Sequence, residues 1–175
     1  MKVNFLYICV VFVFIMQTTH VYSQIDINIL RFQYRKAADS EKLTNWLHSE
    51  LEKKENNLSS HNAYKAAIIA VKAKFAFWPN EKLSLVKKAM TLLDKCIIQD
   101  PNNIEKRWLR YSIEINIPSV LGYNHQTIDR KVIMEQLSQK KCNEIDHQQV
   151  VFIANFMKQF AKLTTQETKQ LSYLF

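Results

Sequence analysis

The chain has 175 residues, 24 basic against 16 acidic side chains for a net charge of +8, and one glycine beside three prolines. A single glycine excludes strand-rich and loop-rich architectures, which draw their left-handed and tight-turn positions from that residue. Five arginines against nineteen lysines make a poor set of bidentate donors for phosphates or bases. The charges are interleaved along helical segments, so nucleic acid is not the expected partner.

Lys2 precedes twelve unbroken apolar residues, Phe5 to Met16. That run has the length of a secretory h-region and falls short of the ~20 residues that span a bilayer. Val21 and Ser23 suit a cleavage point before Gln24. Residues 1–23 therefore read as a signal peptide, and residues 24–175 as a single all-helical domain, exported and soluble. An uncleaved N-terminal anchor is the alternative. Cys9 lies inside the apolar run, which argues against a lipid-modified N-terminus. The remaining chain, about 150 residues, is long enough to bury roughly 68–70% of its surface. Export permits a disulfide between Cys96 and Cys142. Cys96, however, falls on the apolar side of a helix, where a free cysteine packs as a small hydrophobe.

In chain order, the pattern predicts a helix over 25–36 with Ile29, Leu30, Phe32 and Tyr34 packing. A second helix starts at Ser40 as N-cap and runs to about Glu55, with Leu43, Trp46, Leu47, Glu50 and Leu51 at spacings of three and four. Asn56 to Ser60 reads as a linker. Ser60 caps a helix through Phe77 that is apolar almost all round. Its Ala63, Ala67, Ala70 and Ala73 form a ridge that lets a neighbouring backbone come close. Trp78-Pro79-Asn80 breaks the chain, and the next helix, to about Gln99, carries the seam Leu83, Val86, Met90, Leu93 and Ile97.

Asp100 to Asn103 separates that helix from one with Ile104, Trp108, Tyr111 and Ile115 on one face and Arg107, Arg110 and Glu114 on the other. Pro118 stops it. Gly122 then sits where the chain must reverse, and is expected as a turn residue with positive φ. It lacks the flanking glycines of a phosphate-binding loop. Helices follow from about Thr127 to Lys140 and from Asp146 to about Leu163. Thr164 to Glu167 resembles a capping box for a short last helix to Leu174. About seven helices joined by short turns predict an all-α fold of antiparallel helix pairs.

The stretch AMTLLDKCIIQDPNN resembles the second half of a tetratricopeptide repeat, with Ala89, Leu93, Cys96 and Pro101 at that family's small, large, small and helix-ending positions. It departs from the family in unit length and in placing Tyr111 near the usual glycine, and no second copy is visible. The longer stretch DPNNIEKRWLRYSIEINIPSVLGY resembles a group of small exported helical proteins from Bacteroidetes-type bacteria, through Arg107, Arg110, Pro118, Leu121, Gly122 and Tyr123. That resemblance implies a helical fold and an export route, and no reaction.

Motifs for catalysis are lacking: there is no GxSxG, P-loop, HExxH or CxxC. His125 with Asp129, and Cys142 with His147, are two-ligand fragments where a metal site takes three or four. No cofactor or metal is expected. Arg107, Arg110 and Tyr123 are the candidate binding residues, since two arginines one turn apart beside a turn could receive a partner's carboxylate. The competing structural expectation pairs those arginines with Glu105, Glu114 or helix-end carbonyls. The expected function is non-enzymatic: an interaction module presenting a groove between paired helices to a protein or peptide. The alternatives are a helical enzyme with a site around His125, Asp129 and Arg130, or a membrane-surface or envelope-polymer binder using the lysine excess.

Overall fold

A computed structural model of the chain describes residues 25–53, 59–139, 142 and 145–174. The expected signal peptide and most of the expected linker lie outside the described residues. Among the described residues the architecture is all-α, with eight α-helices, each on a segment expected to be helical, and two short 3-10 turns. No described helix is long and apolar enough to cross a membrane.

Helix α1, Ile27–Ala37, starts where the Asp26 side chain accepts from the amides of Asn28 and Ile29. Helix α2, Glu41–Glu52, follows with Ser40 accepting from Leu43 N, the expected cap. The Thr44 hydroxyl donates to Ala37 O at 2.6 Å and ties α2 back to the end of α1. Helices α3, Ser59–Phe75, and α4, Pro79–Gln99, make the most extensive backbone approach in the molecule. Ala63, Ala66, Ala67 and Ala89 are all fully buried. The missing side-chain bulk lets the two helices nest. Pro79 stands in the first turn of α4, where its absent N–H costs nothing.

Helix α5, Ile104–Glu114, is capped by Asn103, whose side chain accepts from Glu105 N and Lys106 N at 3.1 Å. It is buried on every side: Trp108 and Leu109, and equally Glu105, Lys106, Arg110 and Glu114. Gly122 ends the following 3-10 turn, Ser119–Leu121, with φ +79°. A β-carbon there would meet nothing within 4 Å. Glycine is therefore needed for the backbone alone, and an alanine would cost about 1–2 kcal/mol of left-handed strain. Helices α6, Gln126–Ser138, and α7, His147–Phe160, come next. The last helix, α8, Thr165–Leu171, opens on the expected capping box of Thr164 and Glu167.

One apolar cluster links Leu30 in α1 to Leu171 in α8. Among the expected packing residues, Ile29, Phe32 and Trp46 are about half exposed. On α1 the inward stripe passes instead through Leu30, Arg31 and Ala37, because a charge buried there has partners waiting. Cys96 and Cys142 are both free thiols. Burial pushes both up from their ordinary pKa.

Candidate functional site

Two buried ionic clusters fix α5. In the first, Arg31 of α1 grips Glu105 with Nε to Oε1 at 2.7 Å and Nη2 to Oε2 at 2.8 Å. Its Nη1 reaches Asp146, the cap of α7, at 2.8 Å. Tyr64 of α3 donates to Glu105 at 2.7 Å, and Gln149 of α7 donates to Tyr64 Oη at 3.3 Å. Burial, and then the Glu105 carboxylate, push the Tyr64 phenol well above its ordinary pKa. For Arg31 burial opposes the charge, but Glu105 outweighs it and the guanidinium is held more firmly protonated than usual. Four helices, α1, α3, α5 and α7, meet in this cluster.

In the second, Arg110 of α5 holds Asp129 of α6 in a bidentate pair, Nε to Oδ2 at 2.8 Å and Nη2 to Oδ1 at 2.7 Å. Its Nη1 donates to Asp94 of α4 at 2.7 Å. Arg107 adds a bond to Asp129 at 2.8 Å and another to the carbonyl of Pro101, in the turn between α4 and α5. Glu114 faces the Gly122 turn, where His125 Nδ1 lies 2.5 Å from Oε1. Oε2 of Glu114 is buried and has no partner among the described residues.

The candidate residues read from the sequence are thereby placed. Arg107 and Arg110 do pair with acids, but the acids are Asp129 and Asp94 rather than Glu105 and Glu114, and the carbonyl Arg107 meets lies in the turn at Pro101 rather than at a helix end. Glu105 points toward α1 and Glu114 toward the turn, so neither can turn back along its own helix. Tyr123 is half-buried and packs against the core. The three residues therefore brace the α4, α5 and α6 junction, with Arg110 saturated inside the chain. His125, Asp129 and Arg130 do not converge: His125 meets Glu114, Asp129 meets the two arginines, and Arg130 meets Glu167. Among the described residues no group of three metal-ligating side chains gathers.

The arrangement leaves a concave groove of about 840 Å³ on the other side of α5. One wall is aromatic. Trp108 meets Phe152 and Phe156 of α7 edge to face at 5.4 and 5.8 Å, and Tyr34 of α1 at 6.0 Å. Burial pushes the Tyr34 phenol up to about 12, with a hydrogen bond to Ser112 opposing it. The facing wall is aliphatic, with Val71 at the end of α3 and Leu83 and Val86 at the start of α4. Leu121 of the 3-10 turn also contributes to the lining. α7 is held by these rings and by the polar bonds of Asp146 and Gln149, without the close backbone approach seen between α3 and α4. Large side chains acting as spacers are what keep the groove open.

Charge around the groove is one-sided. Arg35, Lys74 and Lys82 line it, and among the described residues no Asp or Glu does. The Arg35 guanidinium lies over the Phe152 ring at 4.1 Å and donates to Gln149 Oε1. Lys74 Nζ is anchored on Ala38 O at 2.6 Å. The sequence located Trp108 and Tyr34 only as packing residues and gave no sign of Arg35, whose partners lie more than a hundred positions away on α7. No family model, curated protein or solved structure matches the chain.

Proposed function

We propose that this protein is an exported, non-enzymatic interaction module whose groove takes an apolar peptide segment of a partner protein. The observation that carries this reading is the groove itself, of about 840 Å³. Ligand clefts of roughly 300–1,000 Å³ lined by apolar and aromatic side chains are the usual form of a recognition site. Its walls belong to five helices, α1, α3, α4, α5 and α7, and its aromatic face is set by the buried ionic cluster around Arg31. It is thus preformed and loses little on binding. The tetratricopeptide resemblance of Ala89, Leu93, Cys96 and Pro101 supports the same mode of action, and the leader pattern of residues 1–23 supports export.

Peptide selection against the protein, followed by titration at two ionic strengths, tests the reading. Apolar peptides should bind and should keep most of their affinity at ~1 M salt, where the screening length is only about 3 Å. Leu83→Glu, which puts a carboxylate into the aliphatic wall, should abolish binding. Affinity that collapses with salt and ignores Leu83→Glu would instead favour the lysine surface and an anionic envelope polymer.

A further inference from the structure

Resting on the groove reading above, we propose that the bound peptide segment carries a carboxylate among its apolar side chains, and that Arg35 and Trp108 receive it. Trp108 is only 2% exposed and lines the groove, yet its indole Nε1–H has no acceptor among the described residues. Arg35 Nε is buried in the same wall and is likewise without an acceptor. A buried donor left unmatched costs about 1–3 kcal/mol, and native structures carry few of them. Here two stand against one ring: Phe152 lies 4.1 Å from the Arg35 guanidinium and 5.4 Å from the Trp108 ring.

The anionic character follows from what surrounds these donors. Arg35 donates to the neutral amide of Gln149, while the carboxylates of the neighbouring cluster are held elsewhere, Glu105 by Arg31 and Tyr64, and Asp146 by Arg31. Lys74 and Lys82 add positive charge to the lining, with no acid opposite. The bond to Gln149, itself bonded to Tyr64, fixes the guanidinium before a ligand arrives. Charge-assisted bonds of this kind are about twice as strong as neutral ones. A single guanidinium set among aromatic rings suits a monoanionic carboxylate flanked by apolar groups. A dianionic phosphate would call for a denser set of donors.

The test titrates the protein with a short leucine- and phenylalanine-rich peptide carrying one central Glu, and with its Gln and Lys counterparts. The Glu peptide should bind about tenfold tighter than the Gln peptide, a step of roughly 1.4 kcal/mol, and the Lys peptide weaker still. Arg35→Gln should erase the Glu-over-Gln preference, so that the two peptides bind this variant alike. Only the Glu peptide should shift the Trp108 indole N–H resonance, assigned by its loss in Trp108→Phe. Equal affinities for Glu and Gln on the unaltered protein overturn the carboxylate inference and leave the groove reading standing. Failure of every peptide overturns both. Capture of a twelve-carbon fatty acid where no peptide binds overturns the peptide as occupant. If Arg35→Gln loses its helical circular dichroism, the comparison of peptides on the unaltered protein decides.

Discussion

The contact between α3 and α4 and the surroundings of α5 solve the problem of helix packing in opposite ways. Between α3 and α4, small side chains allow close nesting: Ala63, Ala67 and Ala89 are buried beside Ile68, Ile69, Met90 and Leu93. Nothing at that seam needs a specific partner beyond shape. Around α5, four charged side chains are buried, and three of them are matched to charges on other elements: Glu105 to Arg31, Lys106 to Asp100, and Arg110 to Asp129 and Asp94. The fourth, Glu114, meets His125. The first kind of contact tolerates any residue of the right volume. The second tolerates only the right partner, because an orphaned charge in the interior is far more costly than a lost contact.

That contrast can be broken experimentally, beginning with the largest effect. Asp129→Ala leaves Arg110, 6% exposed, and Arg107 facing a void where their shared carboxylate stood. It should cost about 3–5 kcal/mol, read as a lower urea midpoint. Restoring much of that loss with an added Arg110→Leu would show that the stranded charge is the main cost. Ala67→Leu forces the alanine seam apart and should cost about 1–3 kcal/mol, without the rescue by a second substitution that the ionic cluster predicts.

The smallest effect concerns the ion pair of Arg130 on α6 with Glu167 on α8. The backbone N–H of Thr164, with its hydroxyl and Arg130 behind it, holds the Glu167 carboxylate below its usual range. A depressed folded-state pKa gives stability that is complete above the ordinary glutamate value and is lost as pH falls through the depressed one. Glu167→Gln should therefore flatten this part of the acid limb of stability, by under about 1 kcal/mol for so exposed a pair. An acid limb unchanged by the substitution would remove Glu167 from the account.

Legibility in the sequence followed the same division. The α3 to α4 seam could be read directly, since alanines and aliphatics at three- and four-residue spacing need only one helix to show themselves. Caps at Ser40 and Thr164 and the positive φ of Gly122 were equally local. The α5 clusters were not legible. Arg31 finds Glu105 across 74 positions and Asp146 across 115, and Arg110 finds Asp129 across 19. Nothing in either segment alone marks the pairing. The same distance hid the groove, whose aromatic wall needs Tyr34, Trp108 and Phe152 from three separate helices. Arg107, Arg110 and Tyr123 drew attention because they lie close in sequence. The geometry spends Arg107 and Arg110 on bracing, and the groove is lined instead by Arg35 and Trp108.

Gly122 has a consequence that reaches beyond its own corner. With one glycine among 175 residues, nearly every link of the denatured chain carries a β-carbon that narrows its rotational choices. Each such restriction, taken as a glycine replaced by alanine where the native backbone allows it, is worth about 0.4–1 kcal/mol by trimming the disordered ensemble rather than by adding a bond. The polypeptide thus surrenders less freedom when it folds, a margin that lets a modest domain keep several ionised groups away from water.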